Sequence, residues 1–402
     1  MKRTPAIGFI FLTLLIDVTG LGIIIPVMPA LITQLTGGTI SDAAEYGGWM
    51  LFALSVMQFL FSPLLGSLSD QFGRRPVLLV ALFGFGLDYI LMALAPTIAW
   101  LFVGRIIAGI TGASFTTAMA YIADISTPEK KAQNFGMVGA AFGVGFIVGP
   151  VIGGLLGEYG PRVPFYFAAA LTFLNWIYGF FILPESLPVE KRRKFDWKRA
   201  NPVGTLKHLK KYPLVLSLVG ALVFVYIASH AVQSTWAFFT IERFTWSESM
   251  VGYSLGFAGL MVGLVQGVLI RFINPKLGPV KSVYTGMILY IIGLMLFAFA
   301  TKGWMMFVFL IPYCLGGITG PAIQGIMSNQ VPDTEQGELQ GGLASMISLT
   351  SIIGPPLMTG LFSLFSSGKA GIIFPGAAFF AGGVFSMLSL FFAYKALGRI
   401  KD

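Results

Sequence analysis

Apolar residues run through this chain in long blocks separated by short polar breaks, without the alternating or three-to-four-residue periods of a water-soluble fold. Cutting at the breaks predicts twelve spans, at about residues 6–33, 45–69, 75–95, 98–124, 131–158, 163–184, 213–241, 249–272, 280–300, 303–328, 338–366 and 371–395. Each has the roughly twenty residues needed to cross about 30 Å of hydrocarbon at about 1.5 Å per residue. Inside a bilayer the backbone must satisfy its own hydrogen bonds, so such blocks are helices and the predicted fold class is an all-α integral membrane protein. The first block, IGFIFLTLLIDVTGLGIIIPVMPALI, is too long for the apolar region of a cleavable signal and lacks a small-residue processing site. It therefore reads as the first span.

Composition agrees. Hydrophobic residues make up 56% of the 402 and charged residues 11%, against about 25% charged in soluble domains. The 50 glycines and 22 prolines lie largely within the apolar blocks, where they serve close packing and bending. In a twelve-span arrangement Lys2, Arg3, Arg74, Arg75, Lys130, Lys131, the run from Lys191 to Lys211, Arg271, Lys276, Lys281, Lys395, Arg399 and Lys401 share one face. Arg162, Arg243, Lys302 and Lys369 fall on the other. The positive-inside rule then places both termini in the cytoplasm of a cell that holds the protein in its inner membrane. The net charge of +9 is thus topology, which leaves little for a nucleic-acid reading to explain. The single cysteine, Cys314, sits within a span and excludes disulfides and cysteine metal sites.

The longest hydrophilic stretch, PESLPVEKRRKFDWKRANPVGTLKHLKKYP, divides the chain into residues 1–184, a linker at 185–212, and residues 213–402. The halves echo each other: GITG at 109–112 and 317–320, Gly-Pro at 149–150 and 354–355, and Pro with a nearby Glu at 128–129 and 332–335, at offsets of 208, 205 and 204 residues. Paired six-span halves are the architecture of alternating-access transporters, with the substrate site between them at the midplane.

At this level the chain resembles the major facilitator superfamily and, within it, the twelve-span drug:proton antiporters. GSLSDQFGRRP (66–76) resembles the family's loop between the second and third helices, Gly-x-x-x-Asp-Arg-x-Gly-Arg-Arg, with Gln71 in place of the first basic residue. GMVGAAFGVGFIVGPVIGG (136–154) matches the antiporter motif of the fifth helix through Gly136, Gly145, Gly149, Pro150, Gly153 and Gly154. Arg105 with Gly109, and LIDVTGLGIIIPVMP, resemble the fourth and first helices of these exporters. LDYILMALAPTIAWLFVGRIIAGITGA, FTIERFTWSESMVGYSL and PAIQGIMSNQVPDTEQGELQGGL resemble the tetracycline exporters of Gram-negative bacteria. Those exporters carry an acid in the ninth helix and a histidine in the eighth that matter for metal–tetracycline export, and Tyr290 and Val262 stand there instead. The resemblance therefore implies two pseudo-symmetric six-helix bundles and a relative with altered specificity.

The candidate chemistry falls into four groups. Asp70 lies near the C-terminal end of the second helix, where the macrodipole disfavours an acid, so it needs partners from Arg74 or Arg75 and from a facing helix terminus, with Asp124 nearby. With Gly66 and Gly73 these form a charge cluster that, by the resemblance, latches the cytoplasmic side; the alternative is a basic topology anchor. On the fifth helix the glycines recur every four residues, a surface for close backbone packing, and Pro150 bends it; ordinary small-residue packing is the plainer reading. Within the spans the ionisable groups are essentially Asp17, Asp88, Arg105 and His230. Asp17, near mid-membrane, is expected to carry the proton with Arg105 tuning it, while Asp88 either competes as carrier or pairs with Arg105. Asp17 as a structural hydrogen-bonding group is the alternative. A cavity with sparse polar groups is expected from Gln58, Asn175, His230, Gln233, Gln266 and Gln324, with Phe115, Tyr226 and Trp236 as its aromatic candidates.

No phosphate-cradling glycine loop, metal cluster or nucleophile–base pair supports an enzyme, and no cofactor or metal is expected. Without a nucleotide site, transport must draw on an ion gradient. The expected function is proton-coupled export of amphipathic small molecules, with protons, cargo and bilayer as partners, by a protein acting as a monomer. An uptake permease or a lipid or siderophore transporter of the same fold is the alternative, and a non-transporting receptor is a second.

Overall fold

The structure, a computed structural model, describes residues 4–112, 114–193, 211–332 and 335–398. Among these residues it is helical with no strand, and a helix lies at each of the twelve predicted places. The intact spans are 2 (Ile40–Phe72), 3 (Arg74–Leu94), 5 (Pro128–Gly157), 6 (Val163–Ile182), 7 (Pro213–Phe244), 9 (Pro279–Ala298), 11 (Gln336–Ser366) and 12 (Ala377–Leu397).

Four spans are interrupted, which hydropathy does not report. Span 1 is Thr4–Ile24 followed by Met28–Thr36, and its two parts meet at 49°. Pro26 sits in the gap and has no N–H with which to continue the helix. Span 4 breaks between Ile98–Thr111 and Ser114–Ile125, and span 10 has a 3₁₀ turn, Gly316–Ile318, between Gly303–Leu315 and Thr319–Ser328. Both breaks fall at a copy of GITG. In span 10 the ring of Pro321 also crowds the carbonyl of Gly317, four residues back. Span 8 runs from Glu248–Leu264 through a π-helical turn, Val265–Leu269, to Ile270–Leu277.

The chain forms two compact units. One comprises Met1–Gly38, Ala53–Asn201 and Ser247–Gly256, and the other Thr39–Phe52, Pro202–Trp246 and Phe257–Asp402. In the first, Phe9 and Leu14 of span 1 pack with Leu78 and Leu82 of span 3, Tyr121 of span 4 and Val138 of span 5. In the second, Leu218 and Leu222 of span 7 pack with Met287 of span 9, Ile323 and Met327 of span 10, Leu343 of span 11 and Ala393 of span 12. Ser389 Oγ of span 12 donates to the Ala221 carbonyl of span 7 at 2.7 Å, a bond favoured where water does not compete. Large apolar side chains such as Phe181, Leu174, Val80 and Phe272 stand exposed, as hydrocarbon-facing residues do.

Small residues govern the closest approaches. Within the second unit, Gly48 of span 2 leaves just enough room for Thr359 of span 11: a side chain on Gly48 would begin 3.1 Å from the Thr359 Cβ and 3.3 Å from the Pro355 carbonyl oxygen. Within the first, a side chain on Gly252 of span 8 would begin 3.2 Å from Gly154 Cα and would strike the Pro150 carbonyl of span 5. Gly48 and Gly252, Pro355 and Pro150, Thr359 and Gly154 are each about 205 residues apart, so the same contact is built twice at the spacing of the repeat. Gly73 and Gly278, at that spacing too, open spans 3 and 9 with φ of 104° and 75°, a region in which glycine carries no Cβ penalty.

Candidate functional site

At the basic face of the first unit, Arg74 opens span 3 and gathers the charge cluster. Its Nη1 lies 2.6 Å from Asp70 Oδ1 and its Nε 3.1 Å from Asp124 Oδ2 at the end of span 4. The same Nη1 donates to Ser69 Oγ at 2.5 Å. Arg75 turns the other way, donating to the Phe180 carbonyl at 2.6 Å and lying over the Phe180 ring, a cation at the C-terminal end of span 6. Glu185, absent from the sequence-based set, organises the turn. Its Oε1 accepts from the Arg74 N–H at 2.9 Å and from the Ser186 and Leu187 N–H groups at 2.9 and 3.0 Å, and Oε2 accepts from the Arg75 N–H at 3.3 Å. A carboxylate there meets the free N–H groups and positive dipole end of span 3. The signal for it was an acid directly after a span, facing a basic loop. Gly73 is needed because a Cβ would stand 2.8 Å from the Glu185 carboxyl carbon, whereas the space beside Gly66 is open.

In the second unit Lys211 Nζ and Tyr212 Oη both reach Glu335, at 2.7 and 2.8 Å. The hydrogen bond and charge of the Glu335 carboxylate hold both groups in their protonated forms, raising the Lys211 and Tyr212 pKa values.

Deeper in the first unit, Arg105 of span 4 forms an ion pair with Asp88 of span 3, and the two side chains are 4% and 1% exposed. Of the two pairings open to Arg105 from the sequence, the one with Asp88 is therefore formed. The fit is close: a Cβ at Gly104 would stand 2.6 Å from Asp88 Oδ1. Asp88 Oδ1 and Arg105 Nε have no hydrogen-bond partner among the described residues. Asp17 of span 1 is half-buried rather than sealed. Tyr89, 2% exposed, lies within electrostatic reach of Asp17, Asp88 and Arg105, and its ring carbon Cζ is 3.1 Å from where a Gly20 side chain would begin. Tyr89 escaped notice because one tyrosine in an apolar helix carries no periodic signal.

The glycines of span 5 divide between two neighbours. Gly145 and Gly149 face span 1, where a Cβ would stand 3.1 Å from the Thr19 nitrogen and 2.5 Å from the Thr19 oxygen, and Gly153 meets the backbone of Ile23. Pro150 sets its ring against Gly22 of span 1 and its carbonyl against Gly252 of span 8, and Gly154 turns to span 8, 2.9 Å from Ser249 Cα by the same measure. Gly136 has open space beside it.

The polar candidates scatter. Tyr226 of span 7 and Gln324 of span 10 lie within side-chain reach of each other, which brings two of them together. Gln233 donates to Ser229, one turn back, and is exposed. Gln266 is exposed within the π-helical turn of span 8. Gln58 reaches the Gly112 carbonyl at 3.5 Å, at the break in span 4. Asn175 is buried, accepting from Thr13 at 3.4 Å, with its Nδ2 unpaired among the described residues. His230 packs on Gly354, where any Cβ would meet the imidazole ring. Trp236 departs from the expected cavity face: it is 1% exposed and packed edge-on against Phe297 and Phe379, because its helix turns that side to spans 9 and 12. The Phe115 side chain lies outside the described residues.

A family model for the Major Facilitator Superfamily matches residues 10–316. The chain belongs to the Major Facilitator Superfamily. It is 41% identical over 368 residues to the class C tetracycline resistance protein of Escherichia coli, covering 91% of this chain and 92% of that one. It is 36% identical over 353 residues to the class B protein of the same organism, covering 87% and 86%. Among solved structures, a bacterial homolog to the human lysosomal transporter Spinster, in an inward-facing and occupied conformation, matches with a TM-score of 0.79 at 17% identity over 99% of this chain and 97% of that one, which bears on the fold alone. This superfamily member is thus a multi-pass membrane transporter of the drug-exporter branch rather than an enzyme, as its spans and motifs led one to expect.

Proposed function

We propose that the chain is a proton-driven exporter of amphipathic small molecules, plugged into the inner membrane as a monomer with its basic face and both termini in the cytoplasm. The observation that carries the reading is Asp17: a half-buried acid at mid-span, in the same unit as the sealed Asp88–Arg105 pair. Asp17 takes a proton from one side and releases it to the other, while Arg105, held by Asp88, keeps a fixed positive charge nearby that favours the ionised form. Residues 1–184 and 213–402 rock as two six-span halves joined by the linker. The Asp70–Arg74–Asp124 cluster, braced by Glu185, is the cytoplasmic latch, and the paired glycine contacts of spans 2 with 11 and 5 with 8 let helices slide and separate. The cargo meets Gln58, Gln233, Gln266, His230 and the Tyr226–Gln324 pair.

The relatives' names speak for tetracycline, yet Tyr290 occupies the place of their span 9 acid. It is stacked on Tyr313 with ring centroids 4.8 Å apart and offers no carboxylate to a metal chelate. The test is efflux of ethidium and of tetracycline from proteoliposomes under an imposed pH gradient, for the wild type and Asp17→Asn. Gradient-driven export of ethidium, lost in Asp17→Asn, is expected. Transport that ignores the gradient or survives the substitution overturns the reading, and accumulation of opposite sign makes the protein an uptake permease.

A further inference from the structure

A cavity of about 590 Å³ opens at the basic face of the first unit, and its walls are mainly charged. Arg74 lines it together with Lys191, Arg192 and Arg193 from the segment that follows span 6. The acids along it are Asp70, Asp124 and Glu190. Asp70 and Asp124 are already engaged by Arg74, at 2.6 and 3.1 Å. Arg192 is tethered by its Nε to the Leu187 carbonyl at 3.4 Å, with Nη2 3.9 Å from Glu185. The backbone N–H of Arg193 donates to the Asp70 carbonyl at 3.0 Å, which pins the segment across the end of span 2. The lining carries four cations against three acids, and Lys191 and Arg193 have no ion-pair partner among the described residues, while the backbone bond pins the segment that carries them.

We propose that this cavity binds a phosphate-bearing anion. Guanidinium forks and an ammonium around a polar hollow match the oxygens of a phosphate group. A volume in the range of small-molecule sites leaves room for a headgroup, more than a bare ion fills. The segment begins directly after Phe181 and Ile182, which are 78% and 45% exposed and offer an apolar surface for acyl chains where span 6 leaves the membrane. Basic residues just beyond a span are where anionic headgroups gather. The shared chemistry is the phosphate; an anionic phospholipid or a soluble phosphate ester can supply it. Because Arg74 belongs also to the latch, occupancy bears on gating, a consequence that rests on the proposed function; the binding does not, and the experiment reads binding alone.

The full chain, purified in a neutral maltoside, is titrated with phosphatidylglycerol, phosphatidylcholine, glycerophosphoglycerol and inorganic phosphate, the last two against chloride at equal ionic strength. Retained ligand is read by native mass spectrometry and protection by thermal unfolding. The wild type should retain phosphatidylglycerol at least tenfold better than phosphatidylcholine, K191Q/R193Q should lose that preference, and K276Q/K281Q, with the same loss of charge elsewhere, should stay within twofold of wild type. Equal protection by glycerophosphoglycerol or phosphate, lost in the same variant, supports the site and makes its ligand soluble. If K191Q/R193Q is not monodisperse, Arg193→Gln alone carries the test. Retention without headgroup preference and no protection beyond chloride overturns the proposal, as does an equal loss in K276Q/K281Q.

Discussion

Replacing Arg105 with glutamine removes one half of an ion pair whose side chains are 4% and 1% exposed. The Asp88 carboxylate then stays behind where water does not reach it, with an Oδ1 that already has no hydrogen-bond partner among the described residues. Breaking a buried pair from one side costs about 3–5 kcal/mol, because the desolvated charge loses its compensation. Removing both charges, as in D88N/R105Q, leaves no buried ion and should cost about 1–2 kcal/mol. At about 1.36 kcal/mol per decade, the single change raises the opened population roughly 150- to 5,000-fold and the double change only about 5- to 30-fold. Cys314 is the only cysteine, so a reporter can be moved into the affected unit: Ala118→Cys in a Cys314→Ala background. Ala118 is 1% exposed in the core that spans 1, 3, 4 and 5 share. Maleimide labelling in detergent then tracks local opening when closing outpaces reaction. A labelling rate for R105Q within threefold of the parent, or a double variant as open as the single one, would refute the reasoning.

Gly73→Ala forces a Cβ onto φ 104°, ψ 159° and against the Glu185 carboxyl, and should cost about 1–3 kcal/mol in the same labelling assay. Gly149→Val puts a side chain 2.5 Å from the Thr19 carbonyl oxygen and 3.0 Å from Gly22 Cα, backbone atoms that cannot swing aside, for about 1–3 kcal/mol. Gly136→Val on the same helix meets open space and should stay within about 0.5 kcal/mol, so equal effects of the two would contradict the packing argument. Lys211 and Tyr212 have raised pKa values through Glu335. Their contribution to stability is therefore present below their unfolded values of about 10 and is lost as pH climbs through the folded ones. Thermal melts of Glu335→Gln should show less loss of stability above that pH than the wild type.

Much of the fold was legible in the residues themselves. Twenty-residue apolar blocks have one compatible solvent and one backbone solution in it, and the basic residues collect where the blocks end. The repeat was legible too, because GITG and Gly-Pro recur at nearly one spacing, 208 and 205 residues, and the structure puts a helix break at each GITG. The charge-cluster residues Asp70, Arg74 and Asp124 stood out as charges concentrated in an apolar chain, and the structure brings them together. What stayed hidden was which side of each helix meets which neighbour. Which acid Arg105 would meet could not be read from the sequence, and the packing of spans 3 and 4 brings it to Asp88. Helix rotation likewise turned Trp236 into an aromatic cluster with Phe297 and Phe379, and the loop after span 6 carried Glu185 back to cap span 3.

The physical reason is the solvent. In water an amphipathic stripe records a helix's buried face along its sequence, so orientation can be read before folding. In a bilayer both faces are apolar, and no hydrophobic force prefers one to the other. Length, span order and charge placement are thus properties of the sequence by itself, whereas rotation, pairing and kink are settled when glycine gaps, prolines and a few buried polar groups find the partners that fit them.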